Sequence, residues 1–456
     1  MSKRKNKTAE VKIEEILYPN RSIGYIEDIP VEFKGGILGQ KVKVKITRNR
    51  KTKKKAKLIE TLEKSPFENM KEYCPNADIC GGCSYQKVPY ETELLMKLKM
   101  IKNLFKEENI EYDNISINQS PVTKYYRNKM EYTFGDKEKG GALELGLHRK
   151  NRFYEIVDTE GCNIVDEDFE KIRKFVLHYF RKKDETFYHK ISHTGFLRNL
   201  VIKKALNTGE IMVNLVTTSS EGFDDTKKKL FANTLVGADV NGKIVSVIHT
   251  ENNSIADAVI PEKVTVIFGK DHITEELMGL KFKIGPFSFF QPNVYSAEKL
   301  YKRAQEFASI DKTYRVLDLY SGTGTITQLM AQKAGHATGI EIVEEAVDKA
   351  IENAKDNEIE NIDFIAGDVL KKIEVVKGKY DVVVLDPPRE GINPNAIEKI
   401  IDLEPKRFVY ISCNPRTQVR DIKKFIEKGY ELKKYEAFDQ FPNTRHVEAI
   451  ALIQKM

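Results

Sequence analysis

The chain has 456 residues, of which 41% are hydrophobic and 31% charged, with a formal net charge of +7. At about 150 residues per domain this length suggests roughly three domains, and the apolar fraction supports packed cores, which excludes a disordered chain. No apolar run approaches the roughly 20 residues needed to span a bilayer, and the charged start Met1-Ser2-Lys3-Arg4-Lys5-Asn6-Lys7 has no apolar stretch behind it, so neither a membrane segment nor a secretory signal is expected, and a cytoplasmic protein is.

Residues 9–63 read as a small all-β unit. Val11-Lys12-Ile13, Ile23-Gly24-Tyr25-Ile26, Gly39 to Ile46 and Ala56 to Glu60 are short alternating strands punctuated by Gly and Pro-Asn. Such a barrel is a common oligonucleotide-binding scaffold. It carries the basic run Arg48-Asn49-Arg50-Lys51-Thr52-Lys53-Lys54-Lys55-Ala56-Lys57, and the first dozen residues are basic as well. Clustered Lys and Arg neutralise phosphates and release counterions. The same run also fits a solvated hairpin tip. Pro66 and a group of cysteines mark a boundary. Thr92 to Lys106 has Leu94, Leu95, Leu98, Ile101, Leu104 and Phe105 at helical spacing, which predicts an amphipathic helix with those residues in the core. From about 125 to 280 strands prevail, the clearest being Met130 to Phe134, Leu143 to Leu147, Leu200 to Lys203 and Ile211 to Val216. From about 310 strands alternate with helices, which predicts a doubly wound parallel sheet.

That last region holds a pocket motif. Asp318-Leu319-Tyr320-Ser321-Gly322-Thr323-Gly324-Thr325 follows a strand and opens a helix, where two glycines let backbone approach a ligand. The third glycine of the dinucleotide fingerprint is missing. Glu341 ends the next strand, where a carboxylate binds ribose hydroxyls, and Asp368 follows the strand after it, within reach of an adenine amino group. A short glycine turn, an acidic ribose binder and no pyrophosphate fingerprint fit S-adenosylmethionine better than a dinucleotide.

The chemistry lies further on. Leu385-Asp386-Pro387-Pro388-Arg389 reaches the crevice at a strand end. Methyltransferases acting on amino groups carry an aromatic after a similar Asp-Pro-Pro; Arg389 stands there instead, so another group must activate the acceptor. Cys413 in Ser412-Cys413-Asn414-Pro415-Arg416-Thr417 can do so. Pyrimidine C5 is a poor nucleophile until a thiolate adds at C6. A base must then remove the C5 proton, and Glu448 in His446-Val447-Glu448 is the candidate. Taken alone, Cys413 reads more readily as a buried structural thiol. The remaining cysteines, Cys74, Cys80, Cys83 and Cys162, read as one metal centre with four thiolates. Only one Cys-x-x-Cys knuckle is present where zinc ribbons pair two, so the spacing leaves zinc and a [4Fe–4S] cluster open.

Together with Ser288-Phe289-Phe290-Gln291-Pro292-Asn293, these motifs resemble those of the RNA (uracil-5-)-methyltransferases, specifically the type with an N-terminal TRAM barrel and an iron–sulfur cluster. The resemblance covers essentially the whole chain. It implies a multidomain α/β protein: an OB-like TRAM barrel over residues 1–63, a central mixed β-rich domain with the cluster over 64–280, and a Rossmann-like class I methyltransferase domain over 281–456, with the helical stretch 91–123 against the C-terminal domain. It implies that Gln291, Tyr320, Glu341 and Asp386 contact or frame S-adenosylmethionine and the target base, with Asp368 near the adenine. Cys413 would be the nucleophile, Glu448 the base, and His446 an orienting or structural residue. It turns the cysteine set toward [4Fe–4S], since Cys-x5-Cys-Gly-Gly-Cys followed by Tyr85-Gln86 is the cluster pattern. The expected activity is 5-methyluridine formation in 23S ribosomal RNA, with transfer RNA as the alternative substrate and no obligate protein partner. Two rivals fare worse. A non-catalytic iron–sulfur RNA-binding protein would not need an intact Cys413 and Glu448. A cytosine-5 DNA methyltransferase would place its nucleophile after proline and before Glu-Asn-Val, a pattern the chain lacks.

Overall fold

The short alternating strands of the N-terminal region close on one another because one side of each is apolar. In the computed structural model, which describes residues 7–220, 222–255, 259–376 and 379–455, they form a six-stranded sheet in the order Thr8–Lys12, Lys41–Asn49, Lys54–Glu63, Ile29–Lys34, Arg21–Ile26, Glu15–Leu17. Gly24 is required where the chain crosses itself: a Cβ there would lie 2.1 Å from the Lys12 carbonyl oxygen. The expected basic run occupies the ends of Lys41–Asn49 and Lys54–Glu63 and the turn between them. Of the basic N-terminal dozen, residues 1–6 lie outside the described residues.

The helix runs Tyr90–Glu107, and Ile101, Leu104 and Phe105 are buried as the apolar spacing predicts, with Leu94 and Leu98 half-buried, but the face is rotated away from Leu95. Leu95 is 66% exposed, while Glu93, Met96, Lys97, Met100, Ile101, Leu104 and Phe105 are buried. The helix is turned so that Glu93 and Lys97 face inward, where Lys97 pairs with Glu93 at 2.6 Å and with Asp439 at 2.8 Å. This ion triad, invisible to an apolar-stripe argument, sets the rotation. The helix stops at Glu107, and Ile115–Asn118 is a strand.

The middle of the chain forms a seven-stranded sheet in the order Arg152–Val157, Leu143–Arg149, Lys129–Asp136, Leu197–Lys204, Glu210–Thr217, Lys243–Glu251, Lys263–Gly269. Helices Glu167–Arg181 and Asp225–Val236 pack on it through Phe169, Ile172, Val176, Phe180, Phe231 and Leu235. A hairpin, Ile273–Leu277 with Leu280–Ile284, leads on.

The C-terminal sheet has eight strands in the order Ile362–Ala366, His336–Glu341, Arg315–Leu319, Val382–Leu385, Arg407–Ser412, Glu448–Lys455, Tyr430–Phe438, Ile115–Asn118. The first five are mutually parallel, and Glu448–Lys455 runs antiparallel to Arg407–Ser412. Parallel strands gather their carboxyl ends on one edge, the place where open α/β sheets bind ligands. Val11, Val31 and Val44 of the barrel, Ile101 and Phe105 of the long helix, and Leu317, Val383 and Tyr435 of this sheet belong to one continuous apolar core. The barrel is therefore packed on the C-terminal sheet and does not hang from a linker. Among the described residues no helix is long and apolar enough to cross a membrane.

Candidate active site and cysteine knuckle

At the end of Arg315–Leu319, Tyr320 takes a left-handed backbone with φ 67° and turns the chain toward the neighbouring strand. The Tyr320 and Ser321 N–H groups donate to the Ile340 carbonyl at 2.9 and 3.0 Å. The Gly322 N–H donates to Glu341 Oε2 at 3.0 Å, and Val343 N–H donates to Glu341 Oε1 at 3.0 Å. Each carboxylate oxygen keeps further acceptor capacity. Gly324 precedes helix Thr325–Ala331 at φ 76°, and a Cβ there would stand 2.6 Å from Phe364 Cζ. Beneath the turn, Asp318 is fully buried; the Thr327 hydroxyl donates to its Oδ2 at 2.6 Å, while its Oδ1 has no partner. Burial pushes its carboxyl up to about 7. Asp368 is exposed, caps the next helix by accepting from Leu370 N–H at 2.7 Å, and lies within electrostatic reach of Tyr320.

The segment carrying Gln291 is held from the central sheet. Lys203, 4% exposed, donates to the carbonyls of Gly285 at 2.7 Å and Ser288 at 2.9 Å. Asn128 donates through its side chain to the Gln291 carbonyl and through its backbone to that of Pro292, both at 2.9 Å. Gln291 is buried and its Oε1 is unpaired. Two residues upstream of it Phe289 is 72% exposed, an aromatic ring that sequence reasoning passed over.

Cys413, Asp386 and Glu448 come together beyond this turn. Asp386 follows Val382–Leu385, and burial pushes its carboxyl up to about 7. Glu448 opens the strand Glu448–Lys455, and its neighbour Ala449 pairs with Ser412, the residue before Cys413. Its carboxyl is raised well above the usual range by burial and then by Asp386, with Arg389 opposing. The half-buried Cys413 thiol is pushed up to about 12 by burial, then by Glu448 and Asp386, while the Arg389 guanidinium hydrogen-bonds the sulfur and favours the thiolate. Arg389 thus stands where an aromatic is absent, and its cation acts on both Cys413 and Glu448. The His446 ring is held down to about 4 by burial and by the cations Arg445 and Arg389, so it stays neutral at ordinary pH. Tyr18 of the barrel also enters this group.

The tRNA (Uracil-5-)-methyltransferase family profile matches residues 89–456, and the TRAM domain profile matches residues 2–59. The chain belongs to the tRNA (Uracil-5-)-methyltransferase family. It is 46% identical to an uncharacterized RNA methyltransferase of Caldanaerobacter subterraneus subsp. tengcongensis over 99% of both chains. It is 45% identical to an uncharacterized RNA methyltransferase of Clostridium tetani over 100% of this chain and 99% of that one. Among solved structures, the Pyrococcus abyssi tRNA (uracil-54, C5)-methyltransferase in complex with S-adenosyl-L-homocysteine shares the fold. The TM-score is 0.73 and the identity 24%, over 98% of this chain and 100% of that one. The chain is thus an RNA methyltransferase with a TRAM domain, and its parallel-sheet edge is the candidate active site of that family.

The other four cysteines meet where the segment 74–86 packs on the loop around Cys162. Gln86, itself buried, joins the strands of this knuckle. Its Oε1 accepts from Cys74 N–H at 3.2 Å, and its Nε2 donates to Cys83 Sγ at 3.5 Å and to Asn163 Oδ1 at 2.8 Å. Gly82 N–H points at Cys80 Sγ at 3.4 Å, and the N–H groups of Ile164 and Val165 favour the charged form of Cys162. Burial pushes the thiols of Cys83 and Cys162 up to about 12 and about 11, and each of these sulfurs feels the others of the set. Among the described residues no three His, Cys, Asp or Glu side chains are arranged around a single metal ion. Between the knuckle and the barrel lies a groove of about 1370 Å³, with Lys34, Lys45, Lys57, Lys87, Lys150 and Arg445 among its lining.

Proposed function

We propose that this enzyme transfers a methyl group from S-adenosylmethionine to C5 of a uridine in 23S ribosomal RNA through a covalent Cys413 adduct. The observation that carries this reading is the meeting of a thiol, the Arg389 cation and the buried carboxyls of Asp386 and Glu448 at one sheet edge. Cys413, as its thiolate, adds to C6, and the C5–C6 π pair moves toward the C4 oxygen as an enolate. C5 then takes the methyl group from the sulfonium, whose S–CH3 bond breaks to leave a neutral thioether. Glu448 removes the C5 proton, the C5–C6 double bond reforms, and the C6–S bond breaks to return the thiolate. A carboxyl raised by burial suits this proton transfer, because it is a stronger base than an exposed one.

Gln291, Tyr320, Glu341, Asp368 and Asp386 are proposed to hold the methyl donor, with Glu341 on the ribose and Asp368 toward the adenine. The unpaired buried atoms Gln291 Oε1, Asp318 Oδ1 and Ser321 Oγ fit a polar ligand in this crevice. The carboxyls of Asp318 and Asp386 suit a cationic sulfonium, whose charge is lost on transfer. The uridine must leave its stack to reach Cys413, and the basic groove beside the barrel offers the RNA backbone a path. Transfer RNA is the second reading, favoured by the solved neighbour, a tRNA (uracil-54, C5)-methyltransferase.

Cys74, Cys80, Cys83 and Cys162 are proposed to hold a [4Fe–4S] cluster as a structural clamp. N–H groups aimed at sulfur stabilise thiolates of this kind. Methyl transfer from a sulfonium needs no electron, so the cluster takes no step in the reaction.

The test is labelled methyl transfer to total RNA, followed by separation of ribosomal from transfer RNA and mapping of the modified uridine. Label confined to transfer RNA replaces the first substrate with the second. Cys413→Ala is expected to abolish transfer while donor binding persists, and residual turnover contradicts its role. Glu448→Gln is expected to accumulate an RNA adduct that survives a denaturing gel.

A further inference from the structure

The barrel reaches the reacting cysteine directly. Tyr18 lies just past strand Glu15–Leu17 of the barrel and is 3% exposed. Its hydroxyl is directed at the Cys413 carbonyl at 3.5 Å, a long contact spanning 395 residues of sequence. Its own backbone carbonyl accepts from the Arg416 guanidinium at 2.8 Å. Cys413 lies in the turn between strand Arg407–Ser412 and helix Pro415–Glu427, and Arg416 lies in the first turn of that helix, so a single barrel residue touches this strand-to-helix junction twice. Arg416 also donates to Glu107 at 3.1 Å, and Asn103 of the same helix donates to Glu15 at 3.0 Å, which fixes the barrel edge on the long helix. Burial, then Glu448 and Cys413, raise the Tyr18 phenol well above its ordinary value against Arg389 and Arg445, so it remains a donor at any working pH.

We propose that Tyr18 is a positioning residue for Cys413, and that the barrel completes the active site by holding the nucleophile's loop. This rests on the covalent reading above. It extends that reading, because a TRAM barrel regarded only as an RNA grip would have no reason to bury a tyrosine against the reacting thiol's own peptide. A thiolate that attacks C6 must sit within a narrow range of approach, and loosening its loop lowers the rate of attack more than it weakens binding.

The test uses the full-length protein with ribosomal and transfer RNA transcripts made with 5-fluorouridine. On these Cys413 adds to C6 and C5 is methylated, but fluorine replaces the proton that Glu448 would remove, so the adduct persists and its formation can be timed. Tyr18→Phe keeps the ring in the core and removes only the hydroxyl. It is expected to slow adduct formation about threefold, the lower end for one hydrogen bond because the contact is long, with unchanged affinity for RNA and for S-adenosylmethionine. Arg416→Gln, which loosens the same loop from the surface, is expected to give the same split. Tyr18→Phe at the wild-type rate overturns the proposal. So does a parallel fall of rate and RNA affinity, which would mark the barrel as a grip alone. If the wild type forms no adduct on either transcript, the covalent reading fails and this inference with it, so the two failures are distinguishable.

Discussion

Replacing Arg389 with methionine tests whether the cation beside Cys413 sets its reactivity. The buried thiol is pushed up to about 12, so at pH 8 roughly one part in 10⁴ is thiolate. A hydrogen bond to a charged group contributes about 1.5–3 kcal/mol, or one to two pKa units at 1.36 kcal/mol each. Arg389 is exposed, and solvent screening puts the effect at the lower end. Arg389→Met is therefore expected to form the adduct with 5-fluorouridine RNA about tenfold more slowly. Both proteins would be far below the thiol's pKa, so both rates climb tenfold per pH unit and the ratio stays constant from pH 7 to 9. Arg389 also opposes the rise of Glu448, so the ratio reports the cation's effect on Cys413 together with that carboxyl. Arg389→Lys, with a charge but no planar fork, falls between the two. The assay is single-turnover adduct formation resolved on denaturing gels across that pH range. A ratio within threefold of unity refutes the role of Arg389. A wild-type rate that stops climbing by pH 8.5 refutes the argument from burial, since Cys413 would then ionise far more easily than its surroundings dictate.

Lys97→Met is expected to cost about 3–5 kcal/mol at pH 8, because it leaves Glu93 and Asp439 buried without their cation. Burial, with Asp439 adding to it, already holds Glu93 up to about 7 against Lys97. The folded state therefore keeps a proton that the unfolded state has lost, stability falls as pH rises through this window, and removing the cation widens it. Urea denaturation should thus show a smaller loss at pH 5.5 than at pH 8, and equal losses would refute the assignment. Protein purified without oxygen is expected to carry about four irons with brown absorbance, which Cys83→Ser and Cys162→Ser lose; one equivalent of zinc instead would contradict the cluster.

The parts of the site legible in the sequence are those that a parallel sheet delivers by rule. Glu341 closes its strand, Asp386 and Cys413 follow theirs, and the turn from Asp318 to Gly324 needs its glycines, so strand ends and spacing were enough to place them on one edge. Glu448 is harder to read, since it begins an antiparallel strand, and only the need of the proposed chemistry for a base points to it. The illegible parts are contacts between residues far apart in the chain. Nothing local marks Tyr18 as a neighbour of Cys413, or Lys203 and Asn128 as supports for the loop of Gln291. Arg389 was visible but was read as the loss of an aromatic, because its partner is a thiol 24 positions later. Leu95 was misplaced for a related reason. An apolar stripe predicts which face is buried only when no polar group has a better partner inside, and Lys97 has two carboxylates there.

That triad also bears on how Glu448 is aimed. The segment 439–446 leads into its strand and is secured by polar contacts from three other parts of the chain. Lys97 donates to Asp439 and, at 3.2 Å, to the Phe441 carbonyl, while Glu93 accepts from Asn443 N–H at 3.1 Å. Tyr126 donates to the Pro442 carbonyl at 2.9 Å, and Ser84 and Tyr85 of the knuckle donate to the Asn443 carbonyl at 2.8 and 3.0 Å. Apolar packing alone would tolerate sliding of such a segment, because contacts of similar volume are interchangeable. Directional bonds in a water-poor interior are not, since each displaced partner leaves a buried group unpaired at about 1–3 kcal/mol. A shift of the knuckle that broke the Asn443 contacts would strand two N–H groups and one carbonyl. The long helix and the cysteine segment therefore hold the approach to Glu448 in one register, and the stability of the knuckle and the aim of the proposed base are physically tied.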